Sequence, residues 1–136
     1  MSRSIFSVII LVMFATAIAL CGAIRDGSFT ARSDGSNITL QWLSDDETGV
    51  VRYEIERKSG ANGEFIFLVQ IPLKGNSASY VYVDDSAFLR STETLYFYRI
   101  KVDYLNGSSV YYGPIAVPHS VSSVRRTWGS IKAMFR

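Results

Sequence analysis

Short runs of alternating apolar and polar residues, broken by clusters of Gly, Asn, Asp, Ser and Pro, mark this 136-residue chain as an all-β domain. The clearest run is Thr94–Val102, in which Tyr96, Tyr98, Ile100 and Val102 share one face and Phe97, Arg99 and Lys101 the other. Six further runs follow one another at intervals of about ten residues, the spacing of a seven-stranded antiparallel sandwich. The one cysteine, Cys21, lies in an apolar opening, so no disulfide braces the rest of the chain. Packing has to hold it.

Met1–Ala23 has the layout of an export signal: a basic start at Arg3, an apolar run from Ile5 to Leu20, then small residues. Cleavage is expected after Ala23, with Cys21 and Ala23 at the two recognition positions. As a helix, residues 4–24 also approach the ~20 residues that span a bilayer uncleaved. The segment is therefore a signal peptide or a membrane anchor, and either role places the domain outside the cytoplasm. Lipidation at Cys21 fits less well, because bulky Leu20 precedes it where a small residue is usual.

The strands come next in order. Ser28–Ser33 is the first, closed by Asp34-Gly35-Ser36, and Asn37–Leu43 the second, with Ile38, Leu40 and Trp42 on one face. Val50–Ser59 is the most regular, its alternation turning Val51, Tyr53 and Ile55 inward and Arg52, Glu54, Glu56 and Lys58 outward. Gly60–Gly63 is a hairpin turn, Glu64–Ile71 returns to Pro72, and Ala78–Asp84, Leu95–Asp103 and Val110–Val117 complete the set.

Trp42 in the second strand, Tyr53 in the third, Val83-Asp84 before a turn, the Tyr96-Phe-Tyr-Arg-Ile-Lys-Val102 run and Tyr112-Gly-Pro-Ile115 together resemble a fibronectin type III domain over about residues 28–118. The resemblance implies a core of Trp42, Tyr53, Tyr96, Tyr98 and Ile100. It also implies a corner role for Tyr96, whose hydroxyl would bond backbone in the preceding turn. One departure is the long turn Ser86–Glu93, which has neither Pro nor Gly.

The chain thus divides into an opening at 1–23, a sandwich at 27–118 and a tail at 119–136. Between Arg25 and Pro118 nine bases meet twelve acids, a net −3, whereas the tail carries +4 with no acid. In the tail Val121, Val124, Trp128, Ile131 and Phe135 fall on one stripe of a short amphipathic helix. Arg125, Arg126, Lys132 and Arg136 take its other faces.

No set of residues assembles into a catalytic or metal site. His119, the sole histidine, follows Pro118 and reads as a solvated linker residue, which leaves no zinc set and no general base. Asp45-Asp46-Glu47 supplies too few oxygens for calcium and reads as a solvated loop. Asn37-Ile-Thr39 and Asn106-Gly-Ser108 satisfy the glycosylation pattern, the second doubling as a tight turn. No cofactor, metal or enzymatic activity is implied.

Binding is the remaining class. Phe97, Tyr104, Tyr111 and Tyr112 are expected to cluster on an outward sheet face, and the tail offers a second apolar stripe. The first reading is an exported module that engages a protein partner through the tail or the aromatic face. A second is a membrane-surface protein whose basic tail lies on anionic lipid, and a third a carbohydrate-binding or enzyme-accessory module. Nucleic acid is not an expected partner, given the acidic body and the export segment.

Overall fold

The structure, a computed structural model, describes residues 22–89 and 95–119. The apolar opening up to Cys21 and the predicted tail helix Val121–Arg136 lie outside the described residues. Seven strands are present: β1 (Thr30–Ser33), β2 (Ile38–Leu43), β3 (Val50–Ser59), β4 (Ile66–Ile71), β5 (Ser79–Asp84), β6 (Leu95–Tyr104) and β7 (Ser109–Pro118). A 3-10 turn, Ser86–Leu89, follows β5. The strands form two antiparallel sheets, ordered β1-β2-β5 and β4-β3-β6-β7.

Alternation puts the core between the sheets. Ile38, Leu40 and Trp42 on β2 and Tyr80 on β5 meet Tyr53 and Ile55 on β3 and Tyr96, Tyr98, Ile100 and Val102 on β6, all of them buried. Trp42 stacks on Tyr80 at 5.0 Å between centroids, and Tyr53 meets both rings edge-on. Such pairs add about 0.5–1.5 kcal/mol each beyond the area they bury.

Regular alternation fails at one point on β3. The pairing with β6 slips between Val50 and Arg52, so Val50 is buried beside Tyr104 and Val51, expected inward, is 43% exposed. The extra residue of the bulge turns it out. Beyond the bulge Tyr53, Ile55 and also Arg57 point in.

Buried polar groups tie the sheets at both poles. At the pole of the Ser44–Gly49 loop, Glu47 is buried and not solvated as the sequence suggests. Its carboxylate accepts the hydroxyls of Tyr53, at 2.9 Å, and Tyr80, and the N–H of Gly75 at 3.0 Å. Burial first, then the bond to Glu47, pushes the Tyr80 hydroxyl up to about 12.

At the opposite pole Asp84 takes four donors. Arg57 Nη1 and the Tyr98 hydroxyl reach Oδ2 at 2.6 and 2.7 Å, while the N–H and hydroxyl of Ser86 reach Oδ1. Burial alone would raise this carboxyl, but the bonds from Ser86, Tyr98 and Arg57 outweigh it and hold the group below the usual carboxylate range. The Tyr96 hydroxyl donates to the Ala87 carbonyl at 3.2 Å, the corner contact expected of it. His119, expected in solvent, is buried. Its Nδ1 lies 2.6 Å from the Ser33 hydroxyl and its ring packs edge-on against Tyr96.

Because the folded Asp84 has the lower pKa, its contribution is complete above about pH 4 and is lost as pH falls toward the folded value. Asp84→Asn should cost about 3–5 kcal/mol in urea unfolding, since it leaves the buried Arg57 without its counter-charge. The variant should also lose part of the wild type's destabilisation below pH 4.

Candidate interaction face

The outer face of the four-stranded sheet carries the concentrated chemistry of the described surface. Registered pairs lay it out in rows: Lys58–Phe97–Ala116, then Phe67–Glu56–Arg99, then Gln70–Glu54–Lys101–Tyr111, then Arg52–Asp103–Ser109. The two lower rows form a charge lattice. Arg52 Nε lies 3.0 Å from both Asp103 and Glu54, and Lys101 reaches Glu54 at 3.3 Å and Asp103 at 3.4 Å. The bond from Ser109, helped by Arg52 and Lys101, lowers the Asp103 carboxyl, and the bond to Glu54 raises the Lys101 ammonium.

The upper rows are aromatic and cationic. The Arg99 guanidinium lies 4.0 Å from the centroid of Phe65 and 4.3 Å from that of Tyr111, and its Nε donates to Glu56. Lys58 Nζ lies 4.6 Å over Phe97 and 5.2 Å over Phe65. Both are cation–π distances, worth about 0.5–1 kcal/mol each at exposed sites. Phe67 at 59% and Tyr111 at 48% exposure project beside them.

The structure divides the aromatic cluster expected from the sequence. Phe97 and Tyr111 share the outer face, whereas Tyr104 and Tyr112 pack against the core from the inner one. Parity is the reason. Tyr104 continues the inward series Tyr96, Tyr98, Ile100, Val102, and consecutive Tyr111 and Tyr112 must point to opposite sides. A register slip sets which of the two is inward, because Tyr98 pairs with Ile115 but Ile100 already with Tyr112. Gly113 sits in that slip at φ 98°, and a Cβ there would come within 2.9 Å of the Tyr98 carbonyl oxygen. Phe65 and Phe67 join the face unforeseen. The run Phe65–Val69 is apolar throughout, so polarity alone does not show which of its residues face outward.

Elsewhere the described surface offers less. An open groove on the outer face of the three-stranded sheet is lined by Thr30, Arg32, Thr39 and Gln41, with Asp34 at its end. The Asp34 carboxylate is engaged by the N–H groups of Ser36 and Asn37, both at 2.7 Å. Among the described residues no group of three or more His, Cys, Asp or Glu is placed to hold a metal ion. The tail positions Val121, Val124, Arg125, Arg126, Trp128, Ile131, Lys132, Phe135 and Arg136 lie outside the described residues.

Two antiparallel sheets with these strand orders fit a fibronectin type III or immunoglobulin-like domain. No protein-family model matches the sequence, and no curated protein matches it. A solved structure described as an Fn3-like protein from Clostridium thermocellum is similar, with 17% sequence identity and a TM-score of 0.46, covering 70% of this chain and 91% of that one.

The face is displayed more than it is structural. Arg99→Ala removes one surface ion pair and two exposed cation–π contacts and should cost about 1–2 kcal/mol. Phe67→Ser should leave urea stability within about 0.5 kcal/mol.

Proposed function

We propose that this chain is a non-enzymatic, exported interaction module that binds a protein partner through the outer face of its four-stranded sheet. Phe67 and Tyr111 serve as anchors, beside Arg99, which is seated between Phe65 and Tyr111, and Lys58, seated between Phe65 and Phe97. The observation that carries this reading is the exposure of two large aromatics beside cations already stacked on aromatic rings. Aromatic and Arg side chains dominate binding energy at protein interfaces, and charged rims steer the approach. The lattice of Arg52, Glu54, Lys101 and Asp103 forms such a rim on one side. Export rests on the apolar opening, Ile5–Leu20.

The Phe67→Ala/Tyr111→Ala double variant tests the face. It should keep the wild-type circular dichroism spectrum and lose a specific partner on affinity capture from the native host. An unchanged partner list would remove the face from consideration.

A second reading rests on the tail, whose stripe from Val121 to Phe135 and bases Arg125, Arg126, Lys132 and Arg136 suit an anionic bilayer surface. Flotation with anionic liposomes should then recover the chain freed of its apolar opening and not the same chain ending at His119. Equal recovery of both excludes this role.

A further inference from the structure

Small residues at the end of the apolar opening look like a cleavage motif, but the fold uses them. Gly22–Arg25 runs antiparallel to Leu43–Asp46: Ile24 bridges Ser44, Arg25 N–H donates to the Leu43 carbonyl at 2.9 Å, and Asp45 and Asp46 donate to the carbonyls of Ala23 and Gly22 at 2.8 and 3.2 Å. Ala23 is 1% and Ile24 2% exposed, both within the core. Any side chain at position 22 would collide with the hydroxyl of Tyr112, and Tyr104 packs against the same core cluster that holds Ala23. The two tyrosines expected on the outer face are thus turned toward this strip.

We infer that Gly22–Ile24 is part of the sandwich, and that any removal of the export segment takes place on the N-terminal side of Gly22 and not after Ala23. The inference rests on the export reading only for its processing part. Cleavage after Ala23 would delete the acceptors for two amides and empty the site of a buried side chain. It would also create an ammonium group on Ile24, a residue with almost no access to water. The smallness of Gly22 and Ala23 then has a packing cause: one lies beneath Tyr112 and the other within the core.

Arg25–Gly27, moreover, is no spacer. Arg25 is bonded through both its N–H, to Leu43, and its carbonyl, to Ser28. The apolar run therefore joins the domain directly at the pole that also carries the Ser44–Gly49 loop and Leu105, which is 81% exposed and whose N–H bonds the Gly49 carbonyl.

Intact-mass and N-terminal sequencing of the protein purified from its native host test the inference. The first residue should be Gly22 or an earlier one; Ala23 or any later residue overturns it. A second arm uses the full chain in detergent with Ala23→Glu or Gly22→Val, each of which should lower the melting temperature of the sandwich by at least about 5 °C. An unchanged melting temperature for both overturns the claim that the strip belongs to the fold. Failure of the export reading would appear separately, as a full-length chain in the cytoplasmic fraction, and leaves the melting test standing.

Discussion

The structure depends on Asp84. It lies at the end of β5 in one sheet and is gripped by Arg57 from β3 and Tyr98 from β6 in the other, with Ser86 closing its second oxygen. A carboxylate removed from water needs all of its lone pairs answered, and here four donors from three directions answer them. The geometry fixes the separation and register of the sheets at that pole. Glu47 does the same at the other, where Tyr53 of β3 and Tyr80 of β5 donate to one carboxylate. In a domain whose sequence holds its single cysteine upstream of the described residues, these two carboxylates join the sheets in place of a disulfide. The aromatic stack of Trp42, Tyr80 and Tyr53 ties one of them into the apolar core.

That economy explains how the tyrosines are distributed. Tyr53, Tyr80, Tyr96 and Tyr98 each place a ring in the core and a hydroxyl on a polar partner, so they serve as architecture at both ends of the side chain. The outer face of the four-stranded sheet draws instead on phenylalanines and Tyr111, with cations stacked on them. A cation over a ring partly covers the apolar surface while leaving it available to a partner that supplies its own carboxylates or rings. The lattice beside it is nearly neutral, two bases against two acids, so on the proposed reading the face would discriminate by arrangement more than by net charge.

Much of the fold was legible from period alone. Each of the seven strands appears within two residues of its expected bounds, because alternation, turn residues and β-branched or aromatic content agree along the chain. What alternation could not reveal were slips in the ladder and long-range polar pairing. Val51 is exposed because a bulge adds one residue, and Tyr112 faces inward because β7 slips against β6; neither leaves a mark in composition. Glu47 and His119 look like solvent residues in sequence because their partners, Tyr80 and Ser33, lie 33 and 86 positions away. Half of the expected aromatic face survived. Tyr104 and Tyr112 face inward through parity, and Phe65 and Phe67 lie in a run too uniformly apolar for its outward face to show in sequence.

The front edge of the domain shows why a local motif yields to packing. Small residues after an apolar run carry the same sequence signal whether a peptidase or a neighbouring tyrosine requires them small. The two causes differ in what the next residue must do. A peptidase site needs nothing of the residues around the bond once the domain has folded, whereas here Ala23 and Ile24 are buried and the carbonyls of Gly22 and Ala23 accept from Asp46 and Asp45 of the Ser44–Gly49 loop. That loop in turn carries Glu47, so the strip at Gly22–Ile24 is coupled through four residues of backbone to the carboxylate joining β3 and β5. Disturbing this strip therefore reaches the tie between the sheets, which makes Gly22–Ile24 part of the domain on energetic as well as geometric grounds.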